Sequence, residues 1–277
     1  MSFITDQFLS IIRRVATDAI PEHIENKARE CLLDYLGVTI SGSTLLKGKE
    51  HQLIQELATT DGCHVVGASK CVPESMAAML NGISSHVIEL DDGHRIGMLH
   101  LGAPIISALL AVAEKENVSA DDFIRGIVVG YEVAIRLACC VQPGCKLRGY
   151  HATGTCGTVG AAMGIAAALH FDEEQMKSAF AAATTSAAGI LEMIEGDTEL
   201  KPFNAGRAAM DGIAAAYIGK ARFKAPEDAL GGKRGFLTVM TDEPKLDFVT
   251  DYSGDKYMIE GIYMKPYAAC RHCHPAP

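Results

Sequence analysis

Side chains able to handle protons or carboxylates gather in four short polar stretches of this sequence, each set against long apolar runs. The first, ELDDGHRIGMLHLGAP, carries Asp91 and Asp92 ahead of His94 and His100 in a glycine-containing loop. Carboxylates beside imidazoles can orient a base, move a proton or hold a metal, and the same residues would serve equally as aspartate caps in a solvated turn. The second, RGYHATGTCGTVGAAMG, places Tyr150 and His151 just before Thr153, Thr155 and three spaced glycines. It lacks dinucleotide-loop spacing and reads either as a helix N-terminus offering N–H groups to an anion such as a carboxylate, or as a core-packing glycine helix. The third, ELKPFNAGRAAMDG, sets Lys201 before a proline at a helix start, with Arg207 one to two turns in, which suits a carboxylate clamp or an ordinary charged cap. The fourth, MKPYAACRHCHPAP, holds Lys265, Cys270, Arg271, His272, Cys273 and His274. Structural zinc sites need two ligand pairs separated by a loop, so this stretch is too compact for one, and no metal ligand set is assigned.

The elements that must position these stretches are helical. Phe3, Phe8, Ile11, Ile12 and Val15 form one apolar face, and a second run from Pro21 through Ile24, Ala28, Cys31, Leu32 and Tyr35 ends at Gly42. Further helices are expected over about 49–57, from Pro73, from Pro104, from Ser119 (with Asp122 at capping-box spacing), and over Thr158–Leu169, Asp172–Ala188 and Ala205–Arg222. Several are alanine- and glycine-rich and apolar nearly all round, which predicts central burial. Strand signal is sparse: CHVVGAS near Val65 is a short extended candidate, and IEGIYMKPY looks like the first strand of a second unit. The expected class is all-α, a large multi-helix domain over residues 1–260 with the beginning of an α/β lid over 261–277.

Composition narrows the function. A chain of 277 residues that is 48% hydrophobic and 21% charged is globular, and a net charge of −9 disfavours nucleic acid or an anionic membrane as partner while leaving room for a locally positive pocket. Nine scattered cysteines, several inside apolar runs, fit reduced thiols in a cytoplasmic protein. The first residues lack a secretory leader's pattern and no apolar run reaches spanning length.

In this order and at these separations, the stretches HVIELDDGHRIGMLHLGAPIISALLAV, GYHATGTCGTVGAA, LKPFNAGRAA and MKPYAACRHCHPA resemble the MmgE/PrpD family, from the first helix to the last residue. That family includes 2-methylcitrate dehydratase, cis-aconitate decarboxylase and iminodisuccinate epimerase. The resemblance implies a helical domain with a smaller α/β lid, an active site between them, a homodimer, and chemistry without metal or other cofactor. It also implies that KPYAACRHCHP is an interior motif at the start of the lid, so that the chain is the helical domain and a stub of the second. Carried over by motif, Asp91, Asp92 and His100 fall on the aspartate–histidine loop, His151 on the histidine before the glycine helix and Lys201 on the KPF lysine; these five are the expected catalytic residues. Lys265 with His272 or His274 falls on the lid-entry motif, and together with Tyr150, Thr153 and Arg207 these residues are expected to bind substrate. The chain departs from many members at Leu101, at Tyr150-His151-Ala152 and at Asn204, departures that bear on the substrate rather than the family. The expected activity is a metal-free hydro-lyase acting on a small di- or tricarboxylate such as 2-methylcitrate, by proton abstraction α to a carboxylate. The alternatives are an epimerase or decarboxylase on the same scaffold, or an inactive lidless module for dimerisation or binding.

Overall fold

A computed structural model describes residues 3–254 and 256–274, the side chains of Lys47 and His272 lying outside that description. Its helices in chain order are α1 (Ile4–Thr17), α2 (Glu22–Leu45), α3 (Lys47–Leu57), α4 (Glu74–Val87), α5 (Gly102–Glu116), α6 (Ala120–Val141), α7 (Gly144–Leu147), α8 (Ala152–Ala168), α9 (Glu173–Ser186), α10 (Lys201–Lys220), α11 (Phe236–Met240) and α12 (Asp247–Thr250). Two antiparallel two-residue pairs complete it: β1 (Cys63–His64) with β2 (Cys71–Val72), and β3 (Gly93–His94) with β4 (Ile262–Tyr263). The fold is all-α, as the helical periodicities imply.

The centre is α8, buried along its whole length and packed against α5, α6, α9 and α10. Small residues make this possible. A Cβ on Gly160 would lie 2.7 Å from the Gly130 carbonyl oxygen, and one on Gly164 equally close to that of Gly126, so α6 and α8 touch backbone to backbone. Gly82 of α4 and Gly206 of α10 make a similar approach, a Cβ on Gly82 falling 2.8 Å from the Gly206 Cα. Around this centre the amphipathic α1 and α2 bury Phe8, Ile12, Ile24 and Tyr35.

Helix ends follow the local chemistry. Ser119 Oγ accepts the Asp122 N–H at 3.1 Å and starts α6, and Asp172 with Gln175 forms a full capping box before α9. Helix α5 begins at Gly102, two residues before Pro104, because Asp92 accepts the N–H groups of Leu101 and Gly102 at 3.0 and 3.1 Å. Helix α8 likewise begins at Ala152 rather than Thr158.

The C-terminal segment folds back onto the helical body. GFLTVM and the start of KLDFVTDY form the short helices α11 and α12. The extended stretch at Ile262–Tyr263 finds its partner in Gly93–His94, inside the aspartate–histidine loop. A buried ion pair on α6 fastens the return: Arg136 Nε donates to Glu132 Oε1 at 2.6 Å, Arg136 Nη1 donates to the Phe248 and Asp251 carbonyls, and Glu132 Oε2 accepts the Met258 N–H at 2.8 Å. That anchoring delivers Lys265 beneath the loop. Six of the nine cysteines are buried, Cys71 is half-buried, and Cys270 and Cys273 are exposed.

Candidate active site

The loop from Glu89 to Leu101, the segment from Gln142 to the start of α8, the start of α10 and the stretch from Tyr263 to Arg271 converge on one cavity of about 390 Å3. His100, Tyr150, His151, Lys201, Glu89 and Arg271 are among its lining residues. Asp91 and Asp92 sit directly behind it, each almost fully buried.

The two aspartates have different tasks. Asp92 is an anchor: Oδ1 caps α5, and Oδ2 accepts the Tyr131 hydroxyl at 2.7 Å. Asp91 organises the imidazoles. Its Oδ2 lies 2.7 Å from His86 Nδ1 and 3.5 Å from His100 Nδ1, and its Oδ1 accepts from Lys265 Nζ at 3.3 Å. Burial pushes the Asp91 carboxyl upward, but His100, His86 and Lys265 outweigh it and hold the group well below the ordinary carboxylate range. Asp91 is therefore an anion fixed among cations and ring N–H groups.

His100 Nδ1 lies 2.6 Å from the Asp92 carbonyl oxygen, which makes Nδ1 the protonated nitrogen of the neutral ring and leaves Nε2 as its lone-pair face. The His100 backbone N–H donates to Thr153 Oγ1 at 3.1 Å, tying this loop to the first turn of α8. His151 stands at the N-cap of that helix, 8% exposed, with its ring centroid 6.2 Å from that of His86. Burial, opposed by Asp91 and reinforced by His86, Lys265 and Lys201, pushes His100 below its ordinary value. Burial also pushes His151 far down, with His86, His100 and Lys201 adding to it. Both rings are consequently neutral near pH 7 and can accept a proton.

Two lysines supply positive charge. Lys265, whose side chain is wholly buried, donates to the Glu89 carbonyl at 2.9 Å as well as to Asp91. Lys201, at the first turn of α10, pairs with the Glu89 carboxylate and remains partly exposed to the cavity. Among the described residues, three buried side-chain polar atoms lack a hydrogen-bond partner: His86 Nε2, Glu89 Oε2 and His151 Nδ1. All three belong to this cluster, as expected where a polar ligand is received.

His86, Asp91 and His100 offer ligand atoms within 4.8 Å of one another and are the one such trio among the described residues. Their arrangement favours protons over a dication. His86 Nδ1 and Asp91 Oδ2 already share a hydrogen bond, and the Lys265 ammonium on the other Asp91 oxygen would repel an ion bound there.

The structure thus brings together Asp91, Asp92, His100, Tyr150, His151, Thr153, Lys201 and Lys265 from the residues singled out in the sequence. Arg207 lies apart: its guanidinium pairs with Asp211 and donates to the Ser186 and Ala188 carbonyls, closing the end of α9. His274 packs edge-on against Tyr267 with Nε2 at 3.1 Å from the Ala269 carbonyl, away from the cavity lining. The His272 side chain lies outside the described residues. His94 faces the β3–β4 side, its Nδ1 accepting the Gly97 N–H at 3.1 Å. His86 and Glu89 were not legible as site residues from the sequence. The available signal was a histidine continuing the apolar stripe Met76, Met79, Ile83 of α4, and a third acid just before the Asp91-Asp92 pair.

An acid–base cluster with lysine cations set in an all-helical body is an arrangement chemically able to receive a small anion. The chain belongs to the MmgE/PrpD family: the model of the MmgE/PrpD N-terminal domain matches residues 6–249. It is 27% identical, over 98% of its length, to a cis-aconitate decarboxylase-like protein, oryM, of Aspergillus oryzae. It is 25% identical over 99% of its length to a cis-aconitate decarboxylase of Aspergillus terreus, and 24% identical over 84% to one of Homo sapiens. The matches cover 59%, 58% and 49% of those proteins, so the chain spans about half to three-fifths of the length of these relatives. No helix among the described residues is long and apolar enough to cross a membrane.

Proposed function

We propose that this chain carries the acid–base half of a lyase that moves a proton at a carbon α to a carboxylate of a small tricarboxylate, with decarboxylation of cis-aconitate as the leading reaction. The observation that carries the reading is the convergence of two neutral imidazoles, His100 and His151, with the Lys201 ammonium at one cavity, the Lys265 ammonium being buried behind it on Asp91. Lys201 receives a retained carboxylate, and Lys265 fixes Asp91 and so the tautomer of the ring beside it. As one carboxylate leaves as CO2, its electron pair forms the new double bond. The former double bond takes a proton at the carbon bearing the distal carboxylate. His151 delivers that proton: the approach of a trianion raises its proton affinity, and transfer returns it to the neutral state that the buried site favours. The names of the relatives support decarboxylation over its alternatives. The neutral imidazoles support a second reading, dehydration of 2-methylcitrate or a similar hydroxy-acid, in which a ring takes the α-proton. A homodimer remains part of the proposal, as does a reaction that uses no metal.

The test is turnover by the protein, in the full length its reading frame encodes, of cis-aconitate, 2-methylcitrate and citrate with a strong chelator present. Release of CO2 from cis-aconitate is the expected result. Dehydration of 2-methylcitrate without CO2 release would move the assignment to the second reading, and loss of turnover on chelation would refute the metal-free mechanism.

A further inference from the structure

Glu89 stands inside the carboxylate site in a way that the chemistry above does not use. Its backbone lies in the left-handed region at φ 55°, a conformation that costs a non-glycine residue of this kind about 1 kcal/mol or more and persists where the surroundings enforce it. Its carboxylate lines the cavity and forms an ion pair with Lys201. The same carboxylate lies 3.8 Å from Lys265 Nζ, and its Oε2 is buried with no hydrogen-bond partner. Burial pushes the Glu89 carboxyl upward, but His86, Lys201 and Lys265 outweigh it and keep the group ionised. A strained backbone therefore presents a negative charge to the cation that a substrate carboxylate would need.

Charge counting gives the consequence. The ammonium groups of Lys201, in the cavity wall, and Lys265, buried behind it, face the two carboxylates of Glu89 and Asp91, so the charge of Lys201 is already matched, while Lys146 and Arg271 also line the cavity. An incoming carboxylate meets a cation already engaged by an anion of its own kind. Each additional carboxylate on the ligand adds repulsion from Glu89 within a few ångströms, in a setting where charges are poorly screened.

We propose that Glu89 is an internal counter-ion that a substrate carboxylate displaces from Lys201, and that its charge sets how many carboxylates the site tolerates. This rests on the carboxylate-binding reading of the cavity. In the bound state Glu89 turns to Lys265, whose ammonium is already within reach, and leaves Lys201 to the ligand. Removing the Glu89 charge should favour more highly charged ligands selectively, because the penalty it imposes grows with ligand charge. A residue that only supported the loop would change the binding of all ligands alike.

The experiment measures binding of tricarballylate, glutarate and butyrate by calorimetry at fixed ionic strength, for the wild type and two variants. Glu89→Gln keeps the side-chain shape, and Glu89→Gly removes the charge while a glycine adopts the same backbone without strain. Both should tighten tricarballylate by about tenfold relative to butyrate, with glutarate between, and raise the salt sensitivity of tricarballylate binding. Lys201→Ala should weaken all three, because the cation that receives the first carboxylate is gone. An unchanged tricarballylate-to-butyrate ratio in the folded Glu89→Gly variant would overturn the proposal, and so would a Lys201→Ala variant that binds all three ligands as tightly as the wild type. Failure of the reaction assignment looks different: none of the three candidate substrates would turn over, yet the charge-dependent shift in binding would remain.

Discussion

Replacing Lys265 with methionine keeps the hydrocarbon stem and removes the ammonium from a fully buried position. Asp91 would keep His86 at 2.7 Å and His100 at 3.5 Å but lose its cation at 3.3 Å, and the Glu89 carbonyl would lose the 2.9 Å bond. Breaking one member of a buried ion pair costs about 3–5 kcal/mol, and because His86 still satisfies one Asp91 oxygen the lower figure applies, about 3 kcal/mol or roughly 5–10 °C in Tm. The pH dependence carries a sign. Asp91 has a folded-state value below its unfolded value of about 3.9, so its stabilisation is complete above that pH and is lost as the pH falls through the folded value. The gap between wild type and Lys265→Met should therefore be full at neutral pH and narrow as the medium is acidified below about pH 4. Denaturant unfolding across that range is the assay. A variant within about 0.5 kcal/mol of wild type at neutral pH, or a gap that stays constant on acidification, would refute the assignment of Lys265 as the buried partner of Asp91.

Other expectations follow from the same geometry. His100 and His151 have folded-state values below the unfolded value, so their contribution to stability is lost as the pH falls below about 6.5, where the unfolded chain takes up protons that the folded chain refuses; the slope of stability between pH 7 and pH 5 should flatten in His151→Asn. Gly160→Ala would place a methyl 2.7 Å from the Gly130 carbonyl and should destabilise by about 1–3 kcal/mol in thermal melts, with folded-state turnover retained. Glu132→Ala leaves the buried Arg136 without its anion and frees Met258, so hydrogen exchange at Ile262 and Tyr263 should accelerate together with a loss of about 3 kcal/mol.

Much of the architecture was readable because local chemistry and tertiary demand agree. The Ser119 cap and the apolar stripes of α1 and α6 each specify a helix without reference to anything distant. The starts of α5 and α8 were not readable to the residue: Asp92 caps α5 from nine positions upstream, and Tyr150 and His151 are held by the Ile190 and Gly189 backbone across the chain. Lys201, His151 and the Asp91-Asp92 pair announced themselves as polar groups at breaks in apolar runs. His86 did not, because a buried histidine on an apolar stripe looks like packing until its Nδ1 is seen on Asp91. Arg207 erred in the opposite direction: a cation near a helix start looks like a clamp, and here it satisfies the carbonyls that end α9.

The central claim is that Lys201 holds a carboxylate while His151 moves a proton. Steady-state kinetics of Lys201→Ala and His151→Gln on cis-aconitate, with each variant's melting recorded alongside, test it most directly. Lys201→Ala should raise KM and lower kcat together, whereas His151→Gln should lower kcat by about 10²-fold or more with little change in KM, both variants remaining folded. Undiminished kcat in a folded His151→Gln variant would contradict it.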